Sequence, residues 1–222
     1  MTLLEEKIAV LKEKLLAMAA AVENMVDSSI QALVKKDHQL AEKVINEIEP
    51  KINQEEIEIE DTAINLIALH QPEASNLRTI TMVIKINNDL ERIGDHAVNI
   101  AEAALFLIPR PAVKPLIDLP RMAQHTIQML SDSLDAFTKK DAELARQVCA
   151  RDSIVDSLKD QISRELITYM TSDATTIDRA LKLMLISLNL ERIADLATNI
   201  SEDVVYAVTG AVIKHGKCEF LT

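Results

Sequence analysis

Glycine, tryptophan and aromatic side chains are nearly missing from this sequence. Of its 222 residues only 3 are glycine (Gly94, Gly210 and Gly216), none is tryptophan, and aromatics make up 2%. β-Sandwiches and barrels need turn glycines at short intervals, and doubly wound folds need glycine-rich phosphate loops, so neither can be built here. The 2 cysteines, Cys149 and Cys218, are too few for a disulfide framework and fit reduced thiols in a cytosolic protein. The opening MTLLEEKIAV is acidic and amphipathic, unlike a secretory leader. The longest uncharged stretch near the C-terminus, Val204 to Ile213, is far short of the ~18 residues that a spanning helix needs. Positive charge is also scarce. The net charge is -11, and no Lys/Arg cluster with interleaved aromatics exists, which excludes a duplex nucleic-acid binder and disfavours metal-free binding of an anion. What remains is 48% hydrophobic content, carried by Ala, Leu, Ile and Met, beside 27% charged residues. That mixture predicts an all-helical, soluble chain.

Four of the 6 prolines fall between Ile108 and Pro120. Proline removes backbone donors and pushes the preceding residue out of helical geometry, so this segment reads as an extended linker. The parts on either side resemble each other. Leu90-Glu-Arg-Ile-Gly-Asp-His-Ala-Val-Asn-Ile-Ala-Glu102 shares nine of 13 positions with Leu190-Glu-Arg-Ile-Ala-Asp-Leu-Ala-Thr-Asn-Ile-Ser-Glu202, at an offset of 100. Lys35-Lys36-Asp37 answers Lys139-Lys140-Asp141 at an offset of 104. Internal duplication explains both matches. Three helices are expected in each half: Leu3 to Val34 or Met122 to Thr138, then one capped by Asp37 or Asp141 and running to about His70 or Met170, then one ending near Leu107 or Val208. Pro50 should kink or break the second helix. The expected architecture is all-α, two tandem pseudo-symmetric antiparallel three-helix bundles laid end to end, with residues 1–108 in one, 109–120 as linker and 121–222 in the other.

The third helices carry acidic stripes. With Glu91 at zero, Asp95 falls at about 40°, Asn99 at about 80° and Glu102 at about 20° on a helical wheel, almost opposite the apolar Ile86, Leu90, Ile93, Ala97 and Ile100. Glu191, Asp195, Asn199 and Glu202 repeat the arrangement. On the second helices Asp152 and Asp156 in one half, and Glu49, Asn53, Glu56 and Glu60 in the other, could face these ridges. Like charges at i,i+4 cost an isolated helix roughly 0.2–0.5 kcal/mol per pair, so something positive should offset them. Arg92 and Arg192 could do so, or the ridges could be solvated or meet a basic partner. If an ion binds, all-oxygen ligands favour Mg, Mn, Ca or iron over thiolate-type zinc. No Glu is followed three residues later by His, which disfavours a ferritin-like oxidase. Neither Ser nor Cys has a paired base for nucleophilic catalysis. His96 reads as a surface histidine, replaced by Leu196 in the repeat, and His215 with Cys218 makes only a weak chelating pair. Met18, Met25, Met122 and Met129 read as core filler.

With Gln71-Pro-Glu-Ala-Ser-Asn-Leu-Arg78, the two Leu-Glu-Arg-Ile-x-Asp segments and Arg164-Glu-Leu-Ile-Thr-Tyr-Met170, the chain resembles the PhoU family of phosphate-uptake regulators over nearly its whole length. The resemblance implies a non-enzymatic cytoplasmic adapter, expected as a homodimer, between the ATPase subunit of a phosphate ABC transporter and a sensor histidine kinase. It would hold the kinase in its repressing state when phosphate is plentiful and touch the membrane only through its partners. It also implies (Glu/Asp)-x-x-x-Asp motifs that hold a divalent ion or a multinuclear cluster, with iron, Mn, Mg, Zn or Ni as candidates. Glu91/Asp95, Glu191/Asp195 and Asp152/Asp156 match that motif, with Asn99, Asn199, Glu102 and Glu202 in support. Glu49/Asn53 departs from it, with Asn for a carboxylate and Pro50 inside. The alternative expectation is a metal-dependent enzyme, such as a phosphatase using carboxylate-bound cations.

Overall fold

A computed structural model describes residues 2–210. They form α1 (Leu3–Lys35), α2 (His38–Lys43), α3 (Glu49–His70), α4 (Ala74–Leu107), α5 (Asp118–Lys139), α6 (Ala142–Ser172) and α7 (Ile177–Thr209), and among them there is no strand. A π turn over Val44–Ile48 joins α2 to α3, and a 3-10 turn over Ala174–Thr176 leads into α7.

The helix ends follow local chemistry. Thr2 and Glu5 close a capping box at the start of α1. Lys36 and Lys140 end α1 and α5 in the left-handed conformation, at φ 55° and 54°. The next residue, Asp37 or Asp141, then accepts backbone N–H groups of the following helix. The repeated Lys-Lys-Asp is therefore a stop signal fused to a start signal. Pro120 sits in the first turn of α5, where its missing N–H is harmless, so that helix begins at Asp118 rather than near Met122.

Pro50 marks a break of a particular kind. The Glu49 N–H reaches back five residues to the Val44 carbonyl, making the wider π turn. Glu49 lies twelve positions after Asp37, whereas Asp152 lies eleven after Asp141. The π turn takes up the extra residue and returns Glu49 to the register that Asp152 holds.

One continuous cluster of buried side chains runs through both halves. Leu11, Leu15, Met18, Met25, Ile93 and Ile100 are fully buried on one side, and Met122, Leu130, Ile193 and Ile200 on the other. Each such side chain contributes roughly 1.5–3 kcal/mol on burial. α1 packs on α3 and α4, and α5 on α6 and α7, but α4 also packs on α7 and α1 on α5. Lys85 pairs with Asp203 at 2.8 Å while His96 meets Asn189 at 2.9 Å, so α4 and α7 run antiparallel alongside each other. The bundles thus share a lateral seam rather than lying end to end. The expectation failed because it paired helices only with their neighbours in sequence. The segment between α4 and α5 is packed down too: the ammonium of Lys114, with 4% of its side chain exposed, pairs with Asp118 at 3.3 Å and with Glu165. Arg179 Nη1 donates to the Pro111 carbonyl at 2.6 Å.

Candidate functional site

On α7 the buried Leu190, Ile193, Ala194 and Ala197 anchor one face in the core. That orientation turns Glu191 and Asp195 into a groove against α6, which supplies Asp152, Asp156 and Lys159. Lys159 Nζ lies 3.0 Å from Glu191 Oε1 and 3.5 Å from Asp156 Oδ1. Arg192 Nη1 lies 3.3 Å from Asp195 Oδ2, and its Nε is 3.5 Å from Glu191 Oε2. Four carboxylates therefore share two cations. Burial, followed by the charges of Asp195, Asp156 and Glu191, pushes the Asp152 carboxyl up to about 6. Asp195 is raised as well, by burial and then Glu191. The hydrogen bond to Glu191 raises Lys159. The second oxygen of Glu191 is buried and has no hydrogen-bond partner, although Arg192 stands at ion-pair distance. A buried acceptor left in that state carries a cost of roughly 1–3 kcal/mol.

The N-terminal half gathers Glu49, Glu56, Glu91 and Asp95. Glu91 is raised by burial first, then by Asp95, Glu56 and Glu49. Asn87 Nδ2 donates to the Glu56 carbonyl at 2.9 Å and fixes α3 against α4 at this level. Asn53 Nδ2 donates to Glu49 Oε1 at 2.7 Å, so the amide occupies the carboxylate it was expected to assist. Arg92 Nη1 sits 3.6 Å from Asp89 Oδ1, two residues before the expected Glu91 and on nearly the opposite side of the helix. Glu56 stands where Lys159 stands in the other half, at the offset of 103 that relates Glu49 to Asp152. One groove thus contains its own ammonium ion and the other a further carboxylate.

The ridges are less solvated than the helical wheel suggests, because the second helix covers their first turn; Glu191 has 13% of its side chain exposed. Asn99, Glu102 and Asn199 lie further along, exposed, and Glu202 is half-buried. Neither Glu102 nor Glu202 is among the charges that shift Glu91 or Asp195. His96 is not a surface histidine: its Nδ1 meets Asn189 Oδ1 across the seam, and it is half-buried. The expected methionines are in the core, with Met129 at 1% exposure. His215 and Cys218 lie outside the described residues. Lys159 escaped the sequence reading; its position three residues after Asp156, on the same helical face, was the available signal.

Among the described residues no three His, Cys, Asp or Glu side chains are disposed to hold one metal ion as they stand. The donor chemistry nonetheless fits a hard cation. Asp152, Asp156, Glu191 and Asp195 are all-oxygen donors with unbalanced charge, and one Glu191 oxygen is buried without a hydrogen bond.

The PhoU domain model matches the chain twice, over residues 15–104 and 119–204. The "Phosphate-specific transport system accessory protein PhoU homolog" of Aquifex aeolicus is 40% identical over 204 residues, covering 92% of each chain. The accessory protein PhoU of Escherichia coli is 35% identical over 205 residues, 92% of this chain and 85% of that one. Crystal structures of PhoU from Pseudomonas aeruginosa (TM-score 0.90, 36% identity, 93% of this chain and 99% of that one) and of the phosphate transport system regulatory protein PhoU from Streptococcus pneumoniae (0.88, 31%, 96% and 100%) share the architecture. No helix among the described residues is long and apolar enough to cross a membrane.

Proposed function

The chain belongs to the PhoU family, and on that premise we propose that it is a non-enzymatic regulator of a phosphate-specific transport system. The observation that carries this reading is the double domain match, joined to relatives that are named accessory or regulatory proteins of phosphate transport. It works in the cytoplasm as a homodimer, docking helical faces on the ATPase subunit of the transporter and on a sensor histidine kinase. By binding one signalling state better than the other, it shifts the kinase toward repression when phosphate is plentiful.

Asp152, Asp156, Glu191 and Asp195 hold a divalent cation or cluster in the C-terminal groove. Glu91 and Asp95, with Glu49 and Glu56, do so in the N-terminal one. When bound, the cation supplies the positive charge that the paired carboxylates lack. The residues themselves set the terms. Asp152 must give up its proton, and Lys159 and Arg192 must release their partners, so binding weakens as pH falls through about 6. In the N-terminal groove Asn53 ties up one Glu49 oxygen, while Glu56 adds charge that Lys159 cancels in the other half.

Two measurements test the parts separately. A phosphate-starvation reporter should be derepressed at high phosphate in cells lacking the protein; unchanged repression would sink the regulatory reading. Elemental analysis of untagged protein should find metal that falls in the double variant Glu191→Ala/Asp195→Ala. Absence of metal in both, after adding Mn, Fe or Mg, removes the metal site and leaves the adapter.

A further inference from the structure

A cavity of about 310 Å³ opens on the seam, where the start of α4 and the ends of α5 and α7 meet the N-terminal part of α1. Its polar wall is Lys12, Arg78, Lys140 and the hydroxyl-bearing Ser75 and Thr79; its apolar wall includes Phe137, Met82 and Val208. No carboxylate lines it. Lys12 Nζ lies 5.7 Å from the centre of the Phe137 ring. Burial, then the charge of Lys140, lowers the Lys12 pKa. Among the described residues Lys12, Arg78 and Lys140 form no ion pair. Asp141, next to Lys140, gives its carboxylate to the first N–H groups of α6. Thr79 donates its proton to the Ser75 carbonyl at 3.1 Å, which leaves Ser75 as the hydroxyl donor. The first turn of α4 contains no acid and its N-cap, Glu73, makes no side-chain cap bond, so the positive end of a 34-residue helix adds to the same field. The net charge of the whole chain argues against an anion site, but a cleft focuses the potential of its own lining.

Pseudo-symmetry sharpens the point. Leu33 and Lys36 correspond to Phe137 and Lys140 at an offset of 104, and Ile108 corresponds to Val208 at 100. These residues line the equivalent corner, where Pro111, Val113 and Leu116 of the inter-bundle segment fill the space and leave about 50 Å³.

We propose that the open corner binds a phosphorylated small molecule bearing an apolar or aromatic group, of the nucleotide type. Its phosphates sit on Lys12, Arg78 and Lys140, and its ring lies against Phe137 and Met82. The volume is at the lower end for ligand pockets, so part of the molecule stays in solvent. The site is separate from the acidic grooves and does not rest on the proposed role in phosphate transport.

Titration calorimetry on the full chain, in EDTA so that no metal bridges the grooves, tests it with ATP, pyrophosphate, inorganic phosphate and adenosine. ATP should bind saturably, more tightly than pyrophosphate and phosphate, with no binding of adenosine. Arg78→Ala and Lys140→Ala, both at exposed positions, should each weaken ATP by about tenfold, the loss expected for one charge-assisted bond. Lys36→Ala, at the filled corner, should leave it unchanged. Absence of saturable ATP binding, equal affinity for ATP and pyrophosphate, or affinity retained in both arginine and lysine variants would overturn the proposal. So would binding that emerges only after deletion of residues 211–222, because that segment would then be the native occupant.

Discussion

Asp152 keeps its proton up to about pH 6 because burial and three neighbouring carboxylates disfavour its charge. In the unfolded chain an aspartate ionises at about 3.9. The folded protein therefore holds this proton more tightly. Its stability is greatest below the unfolded value and declines as pH rises through about 6. Asp152→Asn should raise Tm by about 2–4 °C near pH 7.5, equivalent to about 1 kcal/mol after discounting for solvent screening of a half-exposed group. Thermal melts at about pH 4 should show no gain; a gain of equal size there would mean that packing, not charge, is responsible. Gly94 offers a second residue-scale test. A Cβ there would lie 3.6 Å from Ile52 Cγ2 and 3.9 Å from Met25 Sδ, ordinary contact distances. Ala194 already occupies the matching position in the other half. Gly94→Ala should stabilise the helix by up to about 1 kcal/mol, and a lower Tm would show that Met25 cannot give way. At this scale the sequence was informative about which carboxylates share a helical face, since that follows from 100° per residue. It was silent about Lys159 reaching Glu191, because which helix covers a ridge is decided by packing between segments far apart in the chain.

Helix boundaries were readable where a residue has a backbone reason to be there, as with the caps Asp37 and Asp141; the left-handed stops at Lys36 and Lys140 were not, because lysine has no preference for that conformation. Asp141 accepts two N–H groups and Asp37 one. Asp141→Ala should therefore cost about 1–2 kcal/mol in urea unfolding and Asp37→Ala about 1 kcal/mol or less; the reverse order would mean that the second bond at Asp141 adds nothing. Pro50 announced an interruption in the second helix but not its form, because a proline is compatible with a kink, a gap or a widened turn. The form follows from counting, since one residue too many between Asp37 and Glu49 has to go somewhere. Deleting the exposed Asn46 should convert Val44–Ile48 to ordinary α-helix with Glu49 still facing Glu91, and Pro50→Ala alone should leave the π turn in place. A crystal structure of each variant decides it.

The molecule as a whole is held by a core that ignores the boundary between its repeats, with α1 on α5 and α4 on α7. Calorimetry should show a single unfolding transition, and two separate ones would mean that the halves are independent. The repeat was visible in the sequence, yet its lateral arrangement was not, because the residues that join the halves, such as His96 with Asn189, break the repeat rather than obey it. The same holds for the segment between α4 and α5, whose prolines suggested a tether and whose Lys114 instead fastens it to α6. When a gene is doubled, every hollow between the copies is doubled with it, but only one stretch of chain is needed to cross from the first copy to the second. That crossing stoppers one hollow and cannot reach its twin. The twin is left open, and in this chain Lys12, Arg78 and Lys140 line it in a protein that is otherwise strongly negative.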